Sequence, residues 1–374
     1  MLNTLDDYPI HQTSDPIAIP ASTDRNVYDR AWYNGYAADG SYYFGLGFTF
    51  YPHRNILECH FSVVEQGGRQ HCFYASRRAP IERTDLAIGP VRYEIVEPMR
   101  QARLVIDDNA SGISCDLTYT AQTAAILEPK LIFWSGTRKT RDSSRFTQFG
   151  RWQGTIRHPD GEIRVDHTVC HATKDRSWGI RALGEAEGGA PPIAASKGMF
   201  FVWAPLIWDD HVTHALIYDD GEGRPLQRAG FVAPRFADPA DLLQPTEGGE
   251  DHMADVRSRV RYLPGTRLAA HAEVDMVDGA GNTRTIHCDP ILKFQMKGLG
   301  YGHPAWGQGM WHGELAIEHE SFDPNGVDPL ARENMHVQQV VRVSDGQRTG
   351  IGVFEHICSG PNKQAGFKTA TDAG

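Results

Sequence analysis

Apolar and polar residues alternate with a period of two along most of this chain, in short runs broken by glycine, proline, asparagine and aspartate. The runs Arg257–Leu263 and Ala270–Val277 alternate most regularly, and predict antiparallel strands with one wetted face. Tyr42–Tyr51 (YYFGLGFTFY) is aromatic and carries two glycines, a composition that suits a pleated surface and not a helix; it predicts a strand ended by Pro52. Ile56–Glu65 and Gln70–Ala75 flank Gly67-Gly68 and predict a hairpin. Val91–Glu97, Ala102–Asp107, Ile113–Ala121, Gln153–Arg157 and Glu162–Cys170 continue the rhythm, the last two around the turn His158-Pro159-Asp160-Gly161. It resumes at Gly198–Trp208 and runs on to Gly350–Ile357. Long helical periodicity is absent, and Asp238–Leu243 predicts one short helix. The fold class expected is therefore all-β, with two antiparallel barrel or sandwich domains side by side.

Residues 1–25 are polar and proline-containing and read as an arm; 26–187 and 188–374 read as the two β domains, joined through the Gly/Ala/Pro-rich stretch Ala182–Ser196. A length of 374 residues accommodates two cores, and 40% hydrophobic against 22% charged residues marks a globular chain. A net charge of −10 with no run of Lys/Arg excludes a general nucleic-acid binder. No apolar run is long enough to span a bilayer, and the first residues are acidic without an apolar leader; a cytoplasmic protein is expected. Six scattered cysteines without a CxxC predict buried thiols. The 17 histidines show no HExxH or paired Cys/His spacing, so no metal is expected.

Three stretches are dense enough to carry chemistry. Lys174-Asp175-Arg176-Ser177-Trp178-Gly179-Ile180-Arg181 packs an acid, three cations, a hydroxyl and an indole together, where an ordinary strand would alternate charge with apolar residues. An acid beside a guanidinium and an aromatic face can have its proton affinity tuned; the plainer alternative is a structural Asp–Arg pair at a strand end. Phe200–Trp208 brings Trp203 and Trp208, followed by His214–Gly223 with Tyr218 and Asp220 two apart, hence on one face of a strand and suited to holding a hydroxyl and moving its proton. Asp219 and Glu222 read there as solvated turn residues. Gly298–Glu314 (GLGYGHPAWGQGMWHGE) holds six glycines, Trp306, Trp311, His303 and His312. Its glycines permit close approach, and His303 reads either as an acid/base group or as a histidine satisfied by backbone in a loop that plugs a barrel end. No GxSxG, SxxK or P-loop appears, which disfavours a covalent hydrolase.

At these motifs (KDRSWG, FVWAPL…IYDDGEG and GYGHPAWGQGMWHGE) the chain resembles the AttH/CrtC-like family of double lipocalin-like β-barrel proteins over about residues 28–359. That family includes carotenoid 1,2-hydratase and kievitone hydratase, and the lipocalin-like Diels–Alderases are related in fold. The resemblance places catalytic groups at Asp175, Tyr218 and Asp220, and His303 joins the expected catalytic set on its own chemistry. The substrate-binding set expected with it is Arg176, Trp178, Trp203, Trp208, Trp306 and Trp311, of which the resemblance places Trp178 and the others are read from their own chemistry. Two histidines of the hydratase motif fall on Lys174 and Arg176, and an arginine there suits a substrate with a carboxylate or phenolate. The activity implied is a cofactor-independent hydratase or lyase on a hydrophobic aromatic or isoprenoid molecule, in which a carboxylic acid kept protonated in an apolar cavity protonates carbon. No metal or organic cofactor is expected. A non-catalytic hydrophobic-ligand carrier or sensor and an isomerase or cyclase of the Diels–Alderase type are the alternatives. The partner expected is a small hydrophobic molecule, with no nucleic acid and no membrane span, and a homodimer stays open.

Overall fold

In the computed structural model of the chain, residues 1–374 are described except 12, 186–187, 191–197 and 244–246. Nearly all regular structure is antiparallel β, as the alternation predicts, with 3₁₀ turns as the helical elements among the described residues. The short helix expected over 238–243 is one such turn, Pro239–Asp241, with the Asp238 side chain accepting from the Ala240 N–H. No helix among the described residues is long and apolar enough to cross a membrane.

The described residues group into two compact units. The first holds 1–188, 236–248 and 298–323; the second holds 189–235, 249–297 and 324–374. Two segments that the sequence assigns to the later domain, 236–248 and 298–323, thus cluster with the first unit. The reason for one is backbone pairing: Leu315–Phe322 adds a strand to Gln70–Arg78. The expected linker, 182–196, lies in good part outside the described residues.

The first unit is one strongly bent, nearly closed sheet. Val27–Ala37, Tyr42–Tyr51, Ile56–Glu65 and Gln70–Arg78 form a meander. Beyond Val27–Ala37 come Cys170–Ile180, Arg138–His158, Ser114–Ala121, Gln101–Ile106, Val91–Glu97 and Ala87–Ile88 in that order. Ala87–Ile88, at the far edge, returns toward Ile56–Glu65 and Gln70–Arg78 and brings the barrel close to closure. Inside it Ala31, Tyr33, Phe44, Phe48, Leu57 and Trp152 belong to one apolar core. Gly35 faces that core at a point where a Cβ would stand 2.2 Å from the Phe44 ring, so the position takes no side chain. The run expected as one strand, Glu162–Cys170, is two: Gly161–Val165 ends in a turn and Cys170–Ile180 begins a new strand. KDRSWG therefore lies in mid-sheet, in the C-terminal half of Cys170–Ile180, paired with Val27–Ala37 on one side and Arg138–His158 on the other.

The second unit is a nine-stranded half-barrel running from Asp251–His252 through Pro225–Pro234, His211–Asp220, Met199–Ile207, Thr349–Ser359, Val337–Ser344, Thr283–Gln295 and Ala269–Val277 to Asp255–Tyr262. Its core is carried by one face, with Phe200, Val202, Ile217, Val274, Val341 and Phe354.

Candidate functional site

The pleat decides which residues of KDRSWG meet. Cys170–Ile180 pairs Tyr33 with Lys174, Ala31 with Arg176 and Asp29 with Trp178. Its other neighbour sets Gln148, Phe146 and Ser144 against the same three residues. Tyr33 and Ala31 belong to the barrel core, so Lys174, Arg176 and Trp178 point inward, and Asp175 points to the opposite face.

Two cations on the inside of a barrel need counter-charges, and the chain supplies one for each. Lys174 Nζ lies 2.5 Å from Asp7, and both side chains are almost wholly buried. The other Asp7 oxygen accepts the Met99 N–H at 2.7 Å. Met99 is held at φ +62°, a left-handed conformation that costs a non-glycine residue about 1 kcal/mol or more. Arg176 lies 2.9 Å from Asp29. The Lys174 ammonium sits over the rings of Tyr33, Tyr119 and Phe146 at 5.6–6.0 Å. Tyr33 and Tyr93 join hydroxyl to hydroxyl at 2.8 Å.

Burial sets the proton affinities. It pulls the Lys174 ammonium below its ordinary value, against the opposing pull of Asp7. Burial also opposes the Arg176 charge, but Asp29, Tyr93 and Asp7 together more than offset it and the guanidinium is held above its usual value. Desolvation raises Tyr33 and Tyr93 well above the ordinary phenol range, so both remain neutral hydroxyls. The cavity left among Asp7, Asp29, Phe50, Leu86, Tyr93 and Arg176 is about 10 Å³, room for one water at most.

The arm closes this end of the barrel instead of extending into solvent. Leu2 packs with Met99, Ala125 and Phe146, and Trp178 lies against that group. His11 stacks flat on Trp178 with ring centroids 3.9 Å apart and reaches Asp29 at 2.9 Å.

The remaining expected site residues are spread over other places. Asp175 lies 3.4 Å from Arg145, which also pairs with Glu128. His303 accepts the Ala305 and Trp306 N–H groups at Nδ1 and reaches Glu320 through Nε2 at 3.2 Å, the backbone-satisfied alternative. Trp306 stacks on Tyr74 and on His312. The glycine-rich stretch is therefore no barrel plug: it lies on the outer face of the sheet, where a Cβ on Gly300 would meet His60 at 2.5 Å. Trp311 is exposed under the Arg78 guanidinium.

Tyr218, Asp220, Trp203 and Trp208 belong to the second unit. Asp220 Oδ1 accepts the Glu222 and Arg224 N–H groups and so shapes the hairpin turn. Asp219, expected in solvent, is fully buried and held by Arg228 through two hydrogen bonds, because it follows Ala215 and Ile217 on the core-facing side of its strand. Tyr218 packs on Phe201, and Trp203 lies edge-on to His214. Trp208 is in the core and donates to Thr213. Among the described residues His271, Glu273 and His287 alone cluster with metal-ligand spacing, and Arg259 already neutralises Glu273.

Sequence reasoning passed over Asp29, Tyr33, Tyr93 and Asp7. The spacing Asp29-x-Ala31-x-Tyr33 on a strand would have placed the first two on one face. Asp7 has no such signal, since its partners lie far along the chain.

A family model matches residues 2–368. The chain belongs to that family, DUF8625, a family of unknown function. In structure, this DUF8625 chain is similar to an AttH protein from Nitrosomonas europaea, at 14% identity and a TM-score of 0.53, over 90% of this chain and 94% of that one. It is also similar to kievitone hydratase from Nectria haematococca, at 12% identity and a TM-score of 0.51, over 94% and 97%. No curated protein matches the sequence. The likeness establishes the shared fold, two lipocalin-like β domains, and bears out the AttH/CrtC-like resemblance at that level.

Proposed function

We propose that this DUF8625 protein is a cofactor-independent hydratase or lyase for a hydrophobic aromatic or isoprenoid molecule, with its reaction chamber inside the first barrel. The observation that carries this reading is the inward pair Lys174 and Arg176, two buried cations on one strand among aromatic rings. Burial lowers the proton affinity of the Lys174 amine, which makes it readier to give up a proton than an exposed lysine. Arg176 would anchor a polar substrate end, Trp178 and Phe146 would wall the apolar part, and the Tyr33 and Tyr93 hydroxyls would donate to oxygen bearing developing charge. In hydration, Lys174 would deliver a proton to one alkene carbon as water adds to the other, and the proton shed by the added water returns to the amine; in reverse, the amine protonates the leaving hydroxyl, which departs as water, and then takes the C–H proton. Lys174 takes the proton role here in place of Asp175 and Asp220, because Asp175 faces away from Arg176 and Trp178 and Asp220 shapes a turn. Both named structural relatives share the fold, and one of them is a hydratase by name, which adds to the reading.

The test is incubation with aryl-alkenes and isoprenoid alkenes in ¹⁸O-labelled water, followed by mass spectrometry. Labelled product that disappears in Lys174→Met and in Lys174→Arg alike supports the assignment, because a guanidinium keeps its proton. Turnover indifferent to Lys174→Met removes it, and a ligand retained and recovered chemically unchanged favours the carrier.

A further inference from the structure

The chamber is filled by the chain's own arm, and the filling is chemically specific. Asp7 is 1% exposed, yet it arrives on a 3₁₀ turn, Thr4–Asp7, whose other residues are exposed or half-buried. Within residues 1–11 only Leu2, Asp7 and Pro9 are buried. Ordering about ten residues opposes such docking by roughly 1–2 kcal/mol of backbone entropy each. Three buried side chains and the Asp7 contacts have to offset that, so the arm is held less firmly than strands paired on both sides.

Both carboxylate oxygens of Asp7 are engaged, one by Lys174 and one by the Met99 N–H. Along the same strand, the His11 imidazole covers the face of Trp178, parallel to within 12°. Lys174 and Trp178 are four residues apart, a span of about 13 Å along a strand. An arm that places a carboxylate at one end of that span and a flat ring at the other outlines a molecule.

We propose that Asp7 and His11 stand in for the two ends of an elongated aromatic carboxylic acid, which enters by displacing residues 2–11, pairs its carboxylate with Lys174 and lays its ring on Trp178. Arg176, between the two ends, adds a second cation for the acid. This substrate class rests on the chamber proposed above being the binding site. The arm is then a competitor for that site, and apparent affinity falls by the fraction of molecules with the arm docked.

The probe is 8-phenyloctanoate, with 8-phenyloctan-1-ol as its uncharged counterpart, titrated calorimetrically into the full chain. Asp7→Asn keeps the shape of the arm and removes its charge. The acid is expected to bind Asp7→Asn at least about tenfold more tightly than the parent, and the alcohol to gain nothing. Hydrogen exchange on the unmutated protein, which needs no variant to fold, is expected to show residues 2–11 and the Met99 amide losing protection when the acid saturates it. Equal affinity of parent and Asp7→Asn, no binding to either, or bound acid with the arm still protected would each overturn the proposal. Arm release without chemistry on any alkene would leave it standing while removing the hydratase reading. Turnover with the arm docked would do the reverse.

Discussion

Lys174 and Arg176 are chemically alike in their burial and pairing, yet removing them should cost the protein different amounts. Taking away one partner of a buried ion pair strands the other charge and typically costs about 3–5 kcal/mol. For Arg176→Met the stranded charge is Asp29, on Val27–Ala37 in mid-sheet, which cannot leave without breaking two strand pairings. The full 3–5 kcal/mol should appear, reduced only by what His11 at 2.9 Å supplies. For Lys174→Met the stranded charge is Asp7, on the N-terminal arm proposed above to be displaceable. The arm can undock and return Asp7 to water, so the loss is capped at the docking free energy of residues 2–11. Burial of Leu2 is worth about 2 kcal/mol and the hydrogen bond from Met99 to a charged acceptor about 1.5–3, with ordering entropy opposing both. Those gains total at most about 5 kcal/mol before ordering entropy is subtracted, so the loss should fall below that of a trapped partner. The assay is urea unfolding at neutral pH, reading midpoint shifts at constant m, with hydrogen exchange over residues 1–11. Arg176→Met should lose stability with the arm protected; Lys174→Met should lose little with the arm open. Equal losses for the two, or a large loss in Lys174→Met with a protected arm, would refute the reasoning.

Two further predictions concern the second unit. Arg228→Leu strands the fully buried Asp219 carboxylate and should cost about 3–5 kcal/mol, whereas Asp219→Asn with Arg228→Leu should recover part of that loss; a double-mutant cycle in urea checks the coupling. Burial holds His356 at about 4, below its ordinary value, although its Nδ1 donates to the Phe201 carbonyl at 2.8 Å. The folded state therefore favours the neutral ring, so its contribution is present above about pH 6.5 and is lost as pH falls toward 4, by about 3 kcal/mol in all. His356→Asn should flatten the stability profile between pH 7 and 4; an unchanged profile would count against that burial.

The alternation of side chains was enough to determine that this is an antiparallel β protein, because pleating imposes a period of two wherever one face is wet. Where both faces are covered the pattern vanishes: Tyr42–Tyr51 is buried at every position and Ile56–Glu65 at all but its last, so no periodicity says which side faces the core. KDRSWG was legible as a dense cluster, but its sorting into inward Lys174, Arg176 and Trp178 and outward Asp175 depended on strand register, which a one-residue slip would have inverted. Asp219 falls on the core side with Ala215 and Ile217, and only the fold shows that the strand runs on through it before the turn that Asp220 shapes. Tertiary structure alone brought the arm home. Asp7 reads as a solvated acid in a polar leader, and the groups that bury it are an ammonium and a backbone N–H 167 and 92 positions away, brought to it by barrel closure.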